Sequence, residues 1–265
     1  HLDYGLQKLG PSDPGLALPL NQVDALCGQL IDQAERDGTR VIVLSEYGIT
    51  DVSGPVYPNR ALRQAGLIRV REEMGRELLD AGASDAFAVT DHQLAHIYVK
   101  DPERIAEVKA LVEGLDGVEA VWDQAGKRAN GLDHPRSGEL VALSRADRWF
   151  AYYYWLDDAR APDYGRTVEI HRKPGFDPVE LFVDPAITVP QLAIGWRLMK
   201  KALGFRTLMD VIPLDASLVK GSHGRPTDDA KAGPLLISSE PGLLPADEVP
   251  ATAVKQIVLD HLFTP

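Results

Sequence analysis

Cysteine is almost missing from this chain of 265 residues, where Cys27 stands alone. That excludes an internal disulfide framework and a cysteine-rich metal centre. Positive charge is also short. Lys and Arg number 28 against 39 Asp and Glu, which leaves a formal net charge of −11. A nucleic-acid polymer or an acidic membrane surface calls for the opposite balance. A small anionic substrate is not excluded, because a bound cation can reverse the field locally. No apolar run is long enough to cross a bilayer, and internal repeats and low-complexity tracts are absent. What is present is ordinary for a globular protein: 45% hydrophobic and 25% charged residues. The length suits one large α/β domain or two small ones, and a single domain over residues 1–265 is expected.

The first five residues, His1-Leu2-Asp3-Tyr4-Gly5, read as the end of a core strand entered without its beginning. They imply an N-terminal part of the fold upstream. Residues 21–38 are expected to be a helix, with Val23, Leu26, Cys27, Leu30, Ile31 and Ala34 on one inward stripe. Asn21 suits its cap and Gly38 its stop. Val41-Ile42-Val43-Leu44 is continuously apolar and reads as a strand buried on both faces. Helix followed by buried strand is the grammar of a largely parallel α/β sheet flanked by helices. Ligands of such sheets collect at strand carboxyl ends, where Ser45-Glu46-Tyr47-Gly48 stands.

Further on, a helix is expected over 59–79, broken near Gly66, then strands at 86–89 and 97–99. A helix over 102–115, with Ile105, Val108, Leu111 and Val112 inward, and a strand at 118–122 complete a small inserted α+β subdomain at about 85–135. Strands follow at 139–144 and 149–155. Aromatics crowd both faces of the second one, which implies burial on one side and a pocket wall or interface on the other, with core packing the commoner explanation. Residues 157–190 read as a long ordered loop. Helices over 189–203 and 251–263 follow, the last with Val254, Ile257, Val258 and Leu262 inward.

Several clusters carry possible chemistry. Asp3 and Gln7 are four apart, so one helical turn aims both at one site; a helix-capping Asp is the plainer reading. Glu46, at the mouth of a strand, can ligate a metal or act as a base, and Tyr47 can donate to a phosphate oxygen. His92 and His96 lie between β-type flanks and read as hydrogen-bonded structural histidines rather than a metal face. Asp133-His134-Pro135-Arg136 is either a phosphate contact through His134 and Arg136 or a turn stapled by Asp and Arg. His171-Arg172-Lys173 is an anion receptor or one end of a salt-bridged loop. In Lys220-Gly221-Ser222-His223-Gly224-Arg225, glycines flank a histidine and let the backbone approach an ion or anion closely.

With these residues in order, the chain resembles the C-terminal portion of an alkaline phosphatase superfamily protein. The branch is nucleotide pyrophosphatase/phosphodiesterase-like, near the phosphonoacetate hydrolases. The resemblance rests on Leu2-Asp3 with Gly10-Pro11, on Leu44-Ser45-Glu46-Tyr47-Gly48, and on Ser222-His223-Gly224 with Pro234-Leu235-Leu236-Ile237-Ser238. It implies a hydrolase of phosphate mono- or diesters with a phosphorylated small-molecule substrate. It also implies divalent metals, zinc above all, with magnesium or manganese as alternatives. The implied ligands are Asp3, Gln7, Glu46 and His223. Glu46 and Tyr47 take the catalytic positions, and His134, Arg136 and Arg225 can serve the substrate. Three positions depart from the family pattern. Gln7 stands where the family has His, Glu46 where it has Asp, and Tyr47 where it has His. No residue here matches the family's Thr or Ser nucleophile, which is expected upstream. A phosphate-binding protein without catalysis, or a phosphometabolite mutase, is the alternative on the same scaffold.

Overall fold

Every residue from Trp149 to Trp155 is buried to 1% exposure or less, and the rest of the core is built around this aromatic run. The structure, a computed structural model, describes residues 2–227 and 229–264. The first elements are α1 (Leu2–Leu9), α2 (Ala17–Arg36), β1 (Ile42–Leu44), β2 (Thr50–Asp51), β3 (Gly54–Val56) and α3 (Pro58–Gln64). Then come β4 (Val70–Glu73), β5 (Arg76–Leu79), β6 (Ala86–Asp91), β7 (Leu94–Val99), α4 (Ile105–Glu113), β8 (Val118–Trp122) and α5 (Gln124–Ala129). The last are β9 (Leu140–Ser144), β10 (Arg148–Phe150), α6 (Pro190–Ala202), β11 (Gly221–Ser222), β12 (Leu236–Ser238) and α7 (Val254–Phe263).

The main sheet has the order β6-β7-β9-β8, with every ladder antiparallel. Strands β6 and β7 alternate cleanly between buried and half-buried residues, as a sheet with one face on the core must. Val108 and Val112 of α4 cover that face, as their spacing predicts. Asn59, fully buried on α3, ties the layers together. It accepts from Ala88 N at 2.7 Å and donates to the carbonyls of Ala88 and Tyr152 at 2.8 and 3.0 Å. A buried amide with its hydrogen bonds made in this way fixes register as well as stability.

The α/β class is as expected, but several expectations are corrected. Residues 2–5 are helical, not the end of a strand; His1 lies outside the described residues. Gly10, at φ +82°, ends α1. The sheet is not largely parallel: among the described ladders only β3–β10 is parallel. β1 is half-buried, not buried on both faces, and pairs antiparallel with β12 alone. Helix α2 begins at Ala17, so Asn21 lies inside it, and no residue of it is buried. Leu26 and Leu30 of its stripe are exposed, and Cys27 is only half-buried. On α7, Ile257 is buried while Val258 and Leu262 are exposed. Periodicity identifies an apolar face; it does not supply the surface that covers it.

The helix expected over 59–79 stops at Gln64, and Gly66 at φ +76° turns the chain. Beyond it, β4 and β5 form a tight hairpin whose turn, Met74-Gly75, has φ of 52° and 76°. Positive φ at both central residues matches the right-handed twist of the flanking strands. The 149–155 run keeps a ladder only to Phe150, and both of its sides are buried. Core packing therefore accounts for its aromatics, and no part of it is an open pocket wall.

Residues 157–190 form the expected ordered loop, held by short 3-10 turns at Asp158–Arg160, Asp163–Arg166 and Pro178–Leu181. Its basic cluster is the salt-bridged alternative rather than an anion receptor. Arg172 pairs with Asp163 and Glu169, and Lys173 with Asp177 and Glu180. The loop is pinned to β6 at Gly175, which adopts φ +117° and bridges Thr90. A side chain there would run into the Thr90 carbonyl oxygen. Gly175→Ala is therefore expected to lose about 2 kcal/mol of stability or more. A urea midpoint unchanged from the wild type would refute this.

Candidate functional site

Three segments far apart in sequence meet at one place. The first is α1, where Asp3 and Gln7 share a face one turn apart. Gln7 donates through Nε2 to Asp3 Oδ2 at 2.9 Å. The second is the 45–48 turn after β1. Ser45 holds it to the strand-β12 side, donating from its N–H to Leu235 O and accepting from Leu235 N–H through its hydroxyl, both at 2.9 Å. Gly48 packs so close to the 232–233 backbone that any side chain would strike the Ala232 carbonyl. The third is the loop after β11, with Gly221 against the Leu6 carbonyl and Lys220 N–H donating to Gln7 O at 2.9 Å. Glycine at 48 and 221 is what allows these close approaches.

Tyr47 joins the three. Its hydroxyl donates to Asp3 Oδ1 at 3.1 Å. Its ring stacks on His223, with centroids 3.7 Å apart and planes 7° from parallel. His223 in turn lies 3.9 Å from the ring of His92, and His92 lies 4.9 Å from Phe176. His92, expected from the sequence to be structural, thus belongs to the stack together with Phe176, which no sequence motif marks as a site contact. The missing signal is backbone geometry: His92-Gln93 is the two-residue turn between β6 and β7, and His92 sits at φ +54°. That conformation is held in place from outside the turn. Phe150 N–H donates to His92 O at 2.7 Å, and Gln93 N–H to His223 O at 2.8 Å. Uncommon backbone angles over-determined by their surroundings cluster at functional sites.

The electrostatics are those of an acidic site with neutral imidazoles. Burial pushes the His223 pKa below the ordinary histidine value, against the opposing pull of Asp91, Asp3 and Glu46. Burial, with some help from His223, depresses His92 to about 3. Both rings are therefore uncharged at neutral pH, and each keeps a nitrogen lone pair. Tyr47 is raised by burial and by Asp3, Glu46 and Asp91, so it remains a hydroxyl donor. Ser222 Oγ lies 3.4 Å from His92 Nδ1, which invites comparison with a serine–histidine pair. Ser222 is fully buried, and an imidazole of so low a pKa is a poor base near pH 7. The pair is a staple.

Asp3, Gln7 and His223 are the side chains of this cluster that could hold a cation. Gln7 Oε1 is buried with no hydrogen-bond partner, an acceptor whose desolvation costs about 1–3 kcal/mol until something binds it. Its amide nitrogen is bonded to the Asp3 carboxylate, and Tyr47 links Asp3 to the neutral His223. A two-ion set is not formed: among the described residues, no group of three His, Cys, Asp or Glu side chains can hold an ion. Glu46 is exposed and acts on Tyr47 and His223 through its charge. Arg225 is bound to both carboxylate oxygens of Glu119, at 2.8 and 2.9 Å. Asp133 is stapled by Arg128, not Arg136. His134 Nδ1 accepts from Arg136 N–H, and His134 lines a separate hollow beside α5. Among the described residues, no hydrogen bond or ring contact links His134 or Arg136 to the Asp3–His223 cluster.

Comparison with known proteins places this geometry in context. The family model for type I phosphodiesterase / nucleotide pyrophosphatase matches residues 1–177. That stretch includes Asp3, Gln7, Glu46 and Tyr47; His223 lies beyond it and reaches them only in the fold. Human ectonucleotide pyrophosphatase / phosphodiesterase 5 superposes with a TM-score of 0.48 at 11% identity, over 89% of this chain and 44% of that one. The murine protein gives 0.42 at 18% identity, over 58% and 38%. Phosphonoacetate hydrolase from Sinorhizobium meliloti 1021, solved with phosphonoformate, gives 0.42 at 16%, over 60% and 38%. The chain thus spans less than half the length of each of these structures. No curated protein matches it.

Proposed function

We propose, because this chain belongs to the type I phosphodiesterase / nucleotide pyrophosphatase family, that the Asp3–Tyr47–His223 cluster is the phosphate-facing part of a metal-dependent hydrolase of phosphate mono- or diesters. The observation that carries the reading is the direct contact of those three side chains, from segments more than 40 and 170 residues apart. The field supports it too. Asp3, Glu46 and Asp91 all act on His223, and an anionic substrate would be repelled from such a place without a cation.

Asp3, Gln7 and His223 would hold that cation. A divalent ion held there would supply positive charge to a bound phosphate. The oxygen donors of Asp3 and Gln7 suit a hard ion such as magnesium or manganese, and the imidazole suits zinc. An amide is a weaker ligand than a second imidazole, so affinity is modest. Tyr47, kept protonated, can turn its hydroxyl from Asp3 to a phosphate oxygen. Glu46 orients water or adds charge at the rim. The nucleophile falls to a Thr or Ser outside these 265 residues.

Two observations favour a second reading. Tyr47 already occupies an Asp3 oxygen, and among the described residues no three His, Cys, Asp or Glu side chains are grouped so as to hold an ion. That suits a phosphate-binding protein that does not catalyse. Metal analysis separates the two. The full-length hydrolase should retain about one zinc or manganese per chain after purification, lose it to a chelator, and cleave generic phosphoesters when it is restored. Protein free of metal and inert with every added ion would leave only the binding role.

A further inference from the structure

We propose that helix α6, with the turn behind it, is a docking surface for an anionic lipid bilayer. The helix lies flat on the membrane, its outer apolar stripe in the headgroup layer and Lys200, Lys201 and Arg206 against lipid phosphates.

Leu192, Trp196, Met199 and Leu203 recur at intervals of four, three and four residues, so they share one face of α6. They are 72, 54, 46 and 68% exposed. Ile194, two residues from Leu192 and so on the opposite side, packs on the core. Gly204, at φ +86°, ends the helix and turns the chain back, with Phe205 N–H donating to Lys200 O at 3.1 Å. Exposed Phe205 and Arg206 thereby line one hollow with Trp196, Met199 and Lys200, of about 670 Å³. This surface shares no residue with the Asp3–Tyr47–His223 cluster, and its assignment does not depend on the phosphoester reading.

Charge identifies the occupant. The chain as a whole is acidic, yet no Asp or Glu occurs between Pro190 and Met209, where Arg197, Lys200, Lys201 and Arg206 fall. Arg197 is bonded to Asp210. Among the described residues, no carboxylate pairs with the other three, and Lys200 Nζ lies 5.4 Å from the centre of the Trp196 ring instead. Unpaired cations beside exposed Trp, Leu and Phe are the make-up of a helix that lies in a membrane interface. The net charge of −11 weakens general attraction to an acidic surface. It does not cancel a local one, because salt screens charges beyond about 8–10 Å. A second copy on the same stripe would set two groups of unpaired cations side by side, so an anionic partner is favoured over a dimer.

The test is co-sedimentation of the full-length protein with vesicles of phosphatidylcholine alone or mixed equally with phosphatidylglycerol. Three cations at an anionic surface should make binding to the mixed vesicles about 100-fold tighter, and added salt should weaken it. Replacing Lys200, Lys201 and Arg206 together by Ala should remove that preference. Trp196→Ser, at an exposed position, should lower binding to the mixed vesicles about tenfold. Tryptophan emission should move to the blue on these vesicles, and Trp196→Phe should abolish the move while binding persists. No binding, equal binding to both vesicle types, or a preference that the triple variant keeps would overturn the assignment. So would a blue shift that Trp196→Phe leaves intact, which would put another face at the membrane. A dimer that ignores vesicles and that Trp196→Ser dissociates would also overturn it, since a second copy would then cover the stripe.

Discussion

Replacing Lys173 by Met should destabilise the fold by about 3–5 kcal/mol. Lys173 Nζ lies 2.8 Å from Asp177 and 2.6 Å from Glu180, and the Lys173 and Asp177 side chains are each 1% exposed. It also donates to Thr167 O at 3.0 Å. Burial already pushes the Asp177 pKa up, and the Lys173 ammonium opposes that shift. Without the ammonium, two carboxylates remain in a dry site with nothing to balance them. Removing one member of a buried ion pair is costly because the partner's charge stays buried, whatever the intact pair contributes. Adding Asp177→Asn to Lys173→Met should recover at least about 1 kcal/mol: the amide keeps an acceptor for Val179 N–H and carries no charge. Urea unfolding of the three proteins measures both effects. A loss under about 1 kcal/mol for the single variant would mean that water or protonation relieves the pair. Because Phe176 lies inside this loop and packs on His92, loosening it also reaches the site.

Substituting His223 is the largest expected change in activity. In the full-length protein, His223→Ala should lower kcat/KM for phosphoester cleavage at least about 100-fold, roughly 2.7 kcal/mol of transition-state stabilisation. Alanine also removes the ring between Tyr47 and His92, so a drop alone could reflect collapse of the stack. His223→Phe separates the causes. Phenylalanine keeps an aromatic face between those two rings and has no nitrogen to offer a cation. Loss in both variants assigns the role to the lone pair; recovery in His223→Phe assigns it to packing. Unchanged turnover in both would take His223 out of the mechanism.

Local grammar was legible wherever a short stretch makes its own case. The β6–β7 pair, the α4 stripe with Val108 and Val112, the 157–190 loop and the glycine-flanked His223 were each readable from spacing. The link between Asp3 and His223 came from motif order, which spacing alone did not supply. The 59–79 segment misled because Leu67 and Ile68 extend an apolar pattern past Gly66, while Met74 tolerates a left-handed turn that its side chain gives no hint of. His92 was undervalued for the same reason, since its φ is imposed by hydrogen bonds from Phe150 and to the His223 loop.

Composition and spacing alone determined an acidic α/β protein, its local elements, and the residue types at its site. Only the tertiary structure decided that Tyr47 lies between Asp3 and His223, that His92 and Phe176 extend that stack, and that Arg225 pairs with Glu119. The reason is range. Helix and strand periodicity is written within a few residues, whereas which side chain shares a contact depends on close backbone approaches, at Gly48, Gly175 and Gly221, between segments that are neighbours only after folding.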